Sequence, residues 1–179
     1  MNVRFAVFVG VSLDGFIARS NGGLDWLEPF HGEDHGYGDF FAGVDAVVIG
    51  RGTYDTVIGF PEWPYGGKRV VVCTSRPAEP RHREELWSGS PRALAERLDR
   101  EGVRRVYVDG GALIRSFLRE GLVDELTIDI IPLILGSGRP LFASGNPETA
   151  LRFVDSKSFP SGLVQIRYQR SMKSPSRAA

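Results

Sequence analysis

Apolar residues in this chain come in short, nearly continuous runs closed by turn-forming residues, and these runs alternate with segments whose apolar positions fall at helical spacing. Phe5 to Val11 is a valine-rich run that stops before Asp14-Gly15, the pattern of a strand covered on both faces. Asp45 to Ile49, Arg69 to Cys73 and Arg105 to Val108 repeat that pattern. Between them, Asp39 to Ala42 (with a start as early as Glu33), Arg51 to Ile58, Pro91 to Arg100 and Ala112 to Arg119 read as helices. Ser90-Pro91 marks a helix start, because a serine hydroxyl accepts from an otherwise orphaned N–H and the fixed φ of proline suits the first helical position. Strand, turn and helix in repetition predict an α/β fold with a mostly parallel central sheet flanked by helices. The last third differs. Glu125 to Leu135, Leu151 to Lys157 and Val164 to Arg170 are strand-like with no helix between them, so the sheet is expected to finish with antiparallel strands. Asn21 to Gly38 reads as a long loop, rich in Gly, Asp and His around Trp26 and Phe30, and loops of that length are often functional.

Composition narrows the picture. At 179 residues, with no repeat or shift in composition, the chain is expected to form a single domain over residues 1–171. Residues 172–179 lack apolar anchors and are expected to be disordered. Twenty-two Lys and Arg balance twenty-two Asp and Glu, which gives no footprint for nucleic acid or for an anionic membrane. The lone Cys73 excludes an internal disulfide framework and a cysteine-based zinc site, and suits a reducing compartment. Arg4 and Asp14 interrupt the N-terminal apolar stretch, so it reads as a strand and not a signal peptide, and no run approaches a membrane span. A soluble, cytoplasmic protein is the expectation.

In an open α/β sheet, ligands sit beyond the carboxyl ends of the strands, which directs attention to three segments. Gly50-Arg51-Gly52-Thr53 offers close backbone approach, a guanidinium and a hydroxyl at a helix start; the bland alternative is a tight turn with a solvated arginine. Thr74-Ser75-Arg76 follows the third strand with two hydroxyls and a cation; the alternative is a strand-ending turn before Pro77. Gly110-Gly111, followed by Ala112, joins a strand to a helix where a pyrophosphate could meet free donors, although any such turn can use glycine. All three fall at one edge of the proposed sheet, and together they suggest a dinucleotide.

The same segments carry a resemblance. Val11-Ser12-Leu13-Asp14-Gly15-Phe16-Ile17-Ala18, Gly23-Leu24-Asp25-Trp26, Val48-Ile49-Gly50-Arg51-Gly52-Thr53-Tyr54, Val108-Asp109-Gly110-Gly111, Leu122-Val123-Asp124-Glu125-Leu126 and Pro132-Leu133-Ile134-Leu135-Gly136-Ser137-Gly138 resemble, in order, the dihydrofolate-reductase superfamily. The branch most similar is the reductase domain of the bifunctional riboflavin-biosynthesis deaminase/reductase and its stand-alone relatives. The resemblance implies an NADPH-dependent reductase of a pyrimidine- or pterin-like heterocycle, similar to 5-amino-6-(5-phosphoribosylamino)uracil reductase. It implies that Gly50, Arg51 and Thr53 hold cofactor phosphates, that Thr74, Ser75 and Arg76 receive the 2'-phosphate end, and that a cis peptide joins Gly110 to Gly111 beside the pyrophosphate. Ser12 to Trp26 would be a mobile loop closing over the nicotinamide, with Ser12, Asp14 and Trp26 framing the substrate. No acidic residue ends the third strand, where a fold selecting NADH would bind the ribose hydroxyls, so NADPH is the expected cofactor.

The chain also departs from the family. Folate-reducing enzymes place a carboxylate shortly after the loop tryptophan, whereas here an irregular insert carries Glu33, Asp34 and Asp39, any of which, with Asp14, is a candidate proton donor. The zinc signature of the deaminase partner is absent. Dihydrofolate reduction and a non-catalytic, dimeric nucleotide-binding module are the rival functions. His31 and His35 are spaced for a metal on a helix, but Gly32 and Gly36 argue for a surface loop, and no metal is expected. Trp63 and Tyr65 either wall a heterocycle pocket or pack a loop against the core. A homodimer is expected through Leu126 to Leu135, where apolar residues alternate with little but Thr127 and Asp129.

Overall fold

The computed structural model describes residues 1–171, so the expectation for residues 172–179 lies outside the described residues. Eight strands form one sheet: β1 (Arg4–Ser12), β3 (Ala46–Gly50), β4 (Arg69–Cys73), β5 (Glu85–Trp87), β6 (Arg105–Asp109), β7 (Val123–Ile131), β9 (Leu151–Ser158) and β10 (Val164–Arg170). Their order across the sheet is β5-β4-β3-β6-β1-β7-β10-β9. Pairing is parallel from β5 through β7 and antiparallel from β7 to β10 and from β10 to β9, so the expected parallel sheet with an antiparallel C-terminal end is the fold observed. β7 itself runs parallel to β1. A short ribbon pairs β2 (Phe16–Ala18) with β8 (Arg139–Pro140).

Two helices cover each face. α3 (Pro91–Arg100) and α4 (Gly111–Arg119) bury Leu94, Leu98, Ile114 and Phe117 against Phe5, Val7, Val48 and Val108. α1 (Tyr37–Ala42) and α2 (Arg51–Val57) bury Phe40, Tyr54 and Val57 on the opposite face, against Ala6, Val47 and Ile49. Alternate residues of a strand point to opposite faces, which is why the valine-rich runs read as continuous stretches. Ser90 caps α3 as expected, its hydroxyl accepting from the Ala93 N–H at 3.1 Å.

Several expected boundaries move. α1 begins at Tyr37, where Gly36 at φ 80° starts the helix, and not at Glu33. The strand expected over residues 125–135 ends at Ile131, because Pro132 has no N–H for the ladder, and Leu133 turns away to accept from the Leu13 N–H. β7 is flanked by β1 and β10, so it has no free edge to pair across a dimer. The sheet's edge strands are β5 and β9, and β9 exposes Leu151, Phe153 and Val154. The loop over residues 21–38 contains a 3-10 helix, Asp25–Phe30, that buries Trp26. Among the described residues, no helix is long and apolar enough to cross a membrane, and no group of three metal-ligating side chains occurs.

Candidate functional site

The carboxyl ends of β1, β3, β4 and β6 open onto a cavity of about 770 Å³. That falls in the range of small-molecule sites, roughly 300 to 1,000 Å³. Gly50 to Thr53, Cys73 and Asp109 to Leu113 reach its wall, and so two of the three candidate segments, both of them glycine-bearing, meet there. Neither α2 nor α4 carries a side-chain cap, so the first-turn N–H groups at both starts are open to a ligand in the cavity.

Gly110 makes the close approach possible. It adopts φ 96°, which L side chains rarely do, and a Cβ there would collide with Thr53 Oγ1. The peptide bond between Gly110 and Gly111 is trans, a correction to the expected cis link: Gly110 turns the chain through its left-handed φ instead. Arg51 donates to Asp55 at 2.6 Å and to the Pro77 carbonyl at 2.7 Å, which ties the start of α2 to the segment after β4. In that segment Thr74 and Arg76 close a local turn through the Thr74 hydroxyl. Thr74, Ser75 and Arg76 lie just past Cys73, outside the cavity wall, and the Arg76 side chain is largely exposed, 3.8 Å from Asp55.

The acidic candidates are placed elsewhere. Glu33 accepts from Ser161 at 2.5 Å and is 3.3 Å from His35, Asp34 caps the Gly36 N–H, and Asp39 lines a second crevice behind Phe8. None of the three lines the main cavity. The reason is that the insert packs toward β7 and β10: His35 sits between Glu33 and Asp129, and Gln165 donates to Asp129 and to the His35 carbonyl. Asp14 accepts from Ser12 and from the N–H groups of Leu135 and Gly136, bonds that hold its carboxyl below the usual range and brace the turn after β1. Ser12, Trp26 and Trp63 are also absent from the wall. Trp26 packs with Ile131, Phe159 and Leu163, and Trp63 stacks on His82 at 4.4 Å.

Of the aromatic pair, Tyr65 is the one that reaches the site. Tyr37, Tyr65 and Tyr107 stand on the cavity wall around Asp109, and the Tyr65 hydroxyl donates to Asp109 Oδ2 at 3.0 Å. Loss of solvent pushes the Asp109 carboxyl above the ordinary aspartate value, opposed by its hydrogen bonds from Tyr65, the Gly110 backbone and Tyr107. Burial pushes the Tyr37 phenol up to about 12 and raises Tyr65 and Tyr107 as well. Asp109 was legible in the sequence as part of Val108-Asp109-Gly110-Gly111, but not as an acid. A strand-terminal Asp before two glycines reads as a turn; Tyr107 shares its strand two residues earlier, but Tyr37 and Tyr65 come from elsewhere in the chain.

A family model, the RibD C-terminal domain, matches residues 5–165. The uncharacterized protein YwjB of Bacillus subtilis is 40% identical over 176 residues, covering 96% of this chain and 100% of that protein. A solved structure from Shewanella sp. PV-4, assigned to riboflavin biosynthesis, is similar with a TM-score of 0.87 at 34% identity, over 94% of this chain and 99% of that one. The diaminohydroxyphosphoribosylaminopyrimidine deaminase/5-amino-6-(5-phosphoribosylamino)uracil reductase of Thermotoga maritima shares the fold at 17% identity and a TM-score of 0.70, this chain aligning over 95% of its length with 57% of that protein. The cavity thus lies in a chain with the dihydrofolate-reductase-like fold, and that chain belongs to the RibD C-terminal domain family.

Proposed function

We propose that this chain is an NADPH-dependent reductase acting on a flat pyrimidine- or pterin-like heterocycle. The observation that carries the reading is the meeting, in one cavity, of two uncapped helix starts with a desolvated carboxyl ringed by phenols. Family membership supports it. The residues fit a dinucleotide: the backbone donors at the start of α4 and the Thr53 hydroxyl suit a pyrophosphate, with Gly110 leaving room where a Cβ would collide. Arg51, and Thr74, Ser75 and Arg76 beyond Cys73, suit the 2'-phosphate end.

The bound cofactor would supply the hydride. Phe8, Tyr37 and Tyr107 offer aromatic faces against which an acceptor ring stacks, while Leu24 and Leu27 screen it from water. Asp109, whose carboxyl burial pushes above the ordinary aspartate value, is the acid that would give a proton to a ring nitrogen as hydride adds to the neighbouring carbon.

The test is cofactor affinity by fluorescence quenching, followed by NADPH oxidation with pterins and pyrimidines. NADPH is expected to bind more tightly than NADH, and Arg76→Ala to lose roughly tenfold of NADPH affinity with NADH unchanged, less at high salt because the side chain is exposed. Equal affinity for the two cofactors removes Arg76 from the 2'-phosphate. Tight NADPH binding with no turnover of any acceptor favours the non-catalytic module, and selective turnover of dihydrofolate favours the folate reading.

A further inference from the structure

Arg51, Arg115 and Arg139 line the cavity, and Asp109 is the one carboxyl on its wall among the described residues. A chain whose charges balance overall thus gathers cations where a ligand would lie. Two of the guanidinium groups are held by the fold. Arg51 donates to Asp55 and to the Pro77 carbonyl, and Arg115 donates to the Pro140 carbonyl at 2.5 Å. Arg139 is exposed on β8 and has no hydrogen-bond or ion-pair partner among the described residues.

Its orientation is set all the same. A Cβ on Gly22 would lie 3.1, 3.2 and 3.3 Å from Nη2, Cζ and Nη1 of Arg139, and distances so nearly equal mean that the flat face of the guanidinium is turned to Gly22. Gly22, at φ 91°, leaves room for that face where a side chain would crowd it. Guanidinium N–H groups point outward in the plane of the group, so Arg139 presents its donors edgewise and none of them to Gly22.

The ribbon that carries Arg139 is fastened to α4. The bond from Arg115 to the Pro140 carbonyl ties that helix to the residue after Arg139, and Ile17 of β2 packs so closely on Gly111 that a Cβ there would be 2.5 Å from Ile17 Cδ1. On the other side of Arg139, a Cβ on Gly138 would collide with the Ala18 carbonyl, and the Leu141 N–H donates to the Gly15 carbonyl at 2.9 Å. Arg139 therefore stands, on a braced backbone, beside the helix start whose open N–H groups suit a pyrophosphate. A guanidinium fork matches two phosphate oxygens at once. Resting on the reading of this cavity as a reductase site, we propose that Arg139 binds the diphosphate of the cofactor from the β2–β8 ribbon. The diphosphate is common to NADPH and NADH, so Arg139 contributes to the affinity for both, unlike a residue at the 2'-phosphate.

The experiment is fluorescence-quenching titration of NADPH and of NADH into the parent, Arg139→Gln and Arg139→Lys at low and high salt, with the Tm of each cofactor-free protein. Arg139→Gln is expected to weaken both cofactors by a similar factor, about tenfold at low salt and less at high salt because the side chain is exposed. Arg139→Lys should recover part of the loss, since it keeps the charge without the fork. The cofactor-free Tm should stay at the parent's value, because the side chain has no partner in the fold to lose. Weakening of NADPH alone places Arg139 at the 2'-phosphate and overturns the proposal, as does an equal loss in the Lys and Gln variants. Titration of 5-amino-6-(5-phosphoribosylamino)uracil and of its phosphate-free form closes the other route: a loss confined to the phosphorylated compound assigns Arg139 to an acceptor phosphate and overturns the proposal too. A parent that binds neither cofactor refutes the reductase reading and this proposal together, whereas parent binding that both Arg139 variants leave intact refutes this proposal alone.

Discussion

Asp109 stands at the end of β6 with the Tyr65 hydroxyl donating to one oxygen and the backbone of Gly110 beside it, so its charge state is set by what surrounds it. Desolvation favours the neutral acid and the hydrogen bonds favour the anion; desolvation is the larger effect, and the folded-state pKa lies above the unfolded one. Stability linked to this group is therefore fully present below the unfolded value and is lost as pH rises through the folded value. Asp109→Asn is expected to be more stable than the parent at neutral pH, the gap closing in acid, when urea unfolding is followed across pH. The same substitution removes the proposed proton donor. Its rate should fall on the order of 10² to 10⁴-fold with NADPH affinity kept, and the decline of parent activity as Asp109 ionises should vanish from its pH profile. A variant with the parent's rate and profile would show that the proton comes from elsewhere.

At the scale of elements, the link from β6 to α4 is where fold and site make conflicting demands. Gly110 has no substitute there, because its φ of 96° and the contact with Thr53 both exclude a side chain. Gly110→Ala is expected to cost on the order of 1 to 3 kcal/mol and to lower Tm by about 2 to 4 °C per kcal/mol, together with most of the NADPH affinity. Gly52→Ala is the contrast. A Cβ there would meet nothing within 4 Å and the residue lies inside α2, so the fold should keep its stability or gain up to about 1 kcal/mol. Differential scanning calorimetry and cofactor titration on both variants separate the two effects. If Gly110→Ala melts like the parent, the turn tolerates a side chain and the steric account fails.

For the whole molecule, the unfinished surface is the β9 edge. Phe153 is 56% exposed, with Leu151 and Val154 beside it, on a strand paired on one side alone. Exposed apolar edge strands invite pairing with another chain, and we propose that the expected homodimer forms here and not through β7. Light scattering should return twice the 19.7 kDa of the chain, and Phe153→Lys should shift the population toward monomer without loss of fold. A monomer at micromolar concentration for the parent would refute the dimer.

Patterns carried by neighbouring residues were readable in the chain alone. The valine-rich runs gave the parallel strands, Ser90-Pro91 the start of α3, and Gly50 and Gly110 two of the segments that meet at the cavity, because each rests on covalent geometry or on local hydrogen bonding. β5 and the β2–β8 ribbon were not readable: strands of two or three residues have no period of their own and exist through the partner that completes their ladder. The acid belongs to the same class. Nothing in the local sequence separates Asp109 from Glu33, Asp34 or Asp39, since a carboxylate's pKa and reach are set by what folding packs around it. Tyr107 stands two residues before Asp109 on β6, but Tyr37 and Tyr65 come from distant segments to help enclose the carboxyl, while Ser161 and His35 hold Glu33, which does not line the cavity. Sequence determined where the strands end and therefore where a ligand would lie; tertiary packing decided which charges stand there, because desolvation depends on residues far apart in the chain.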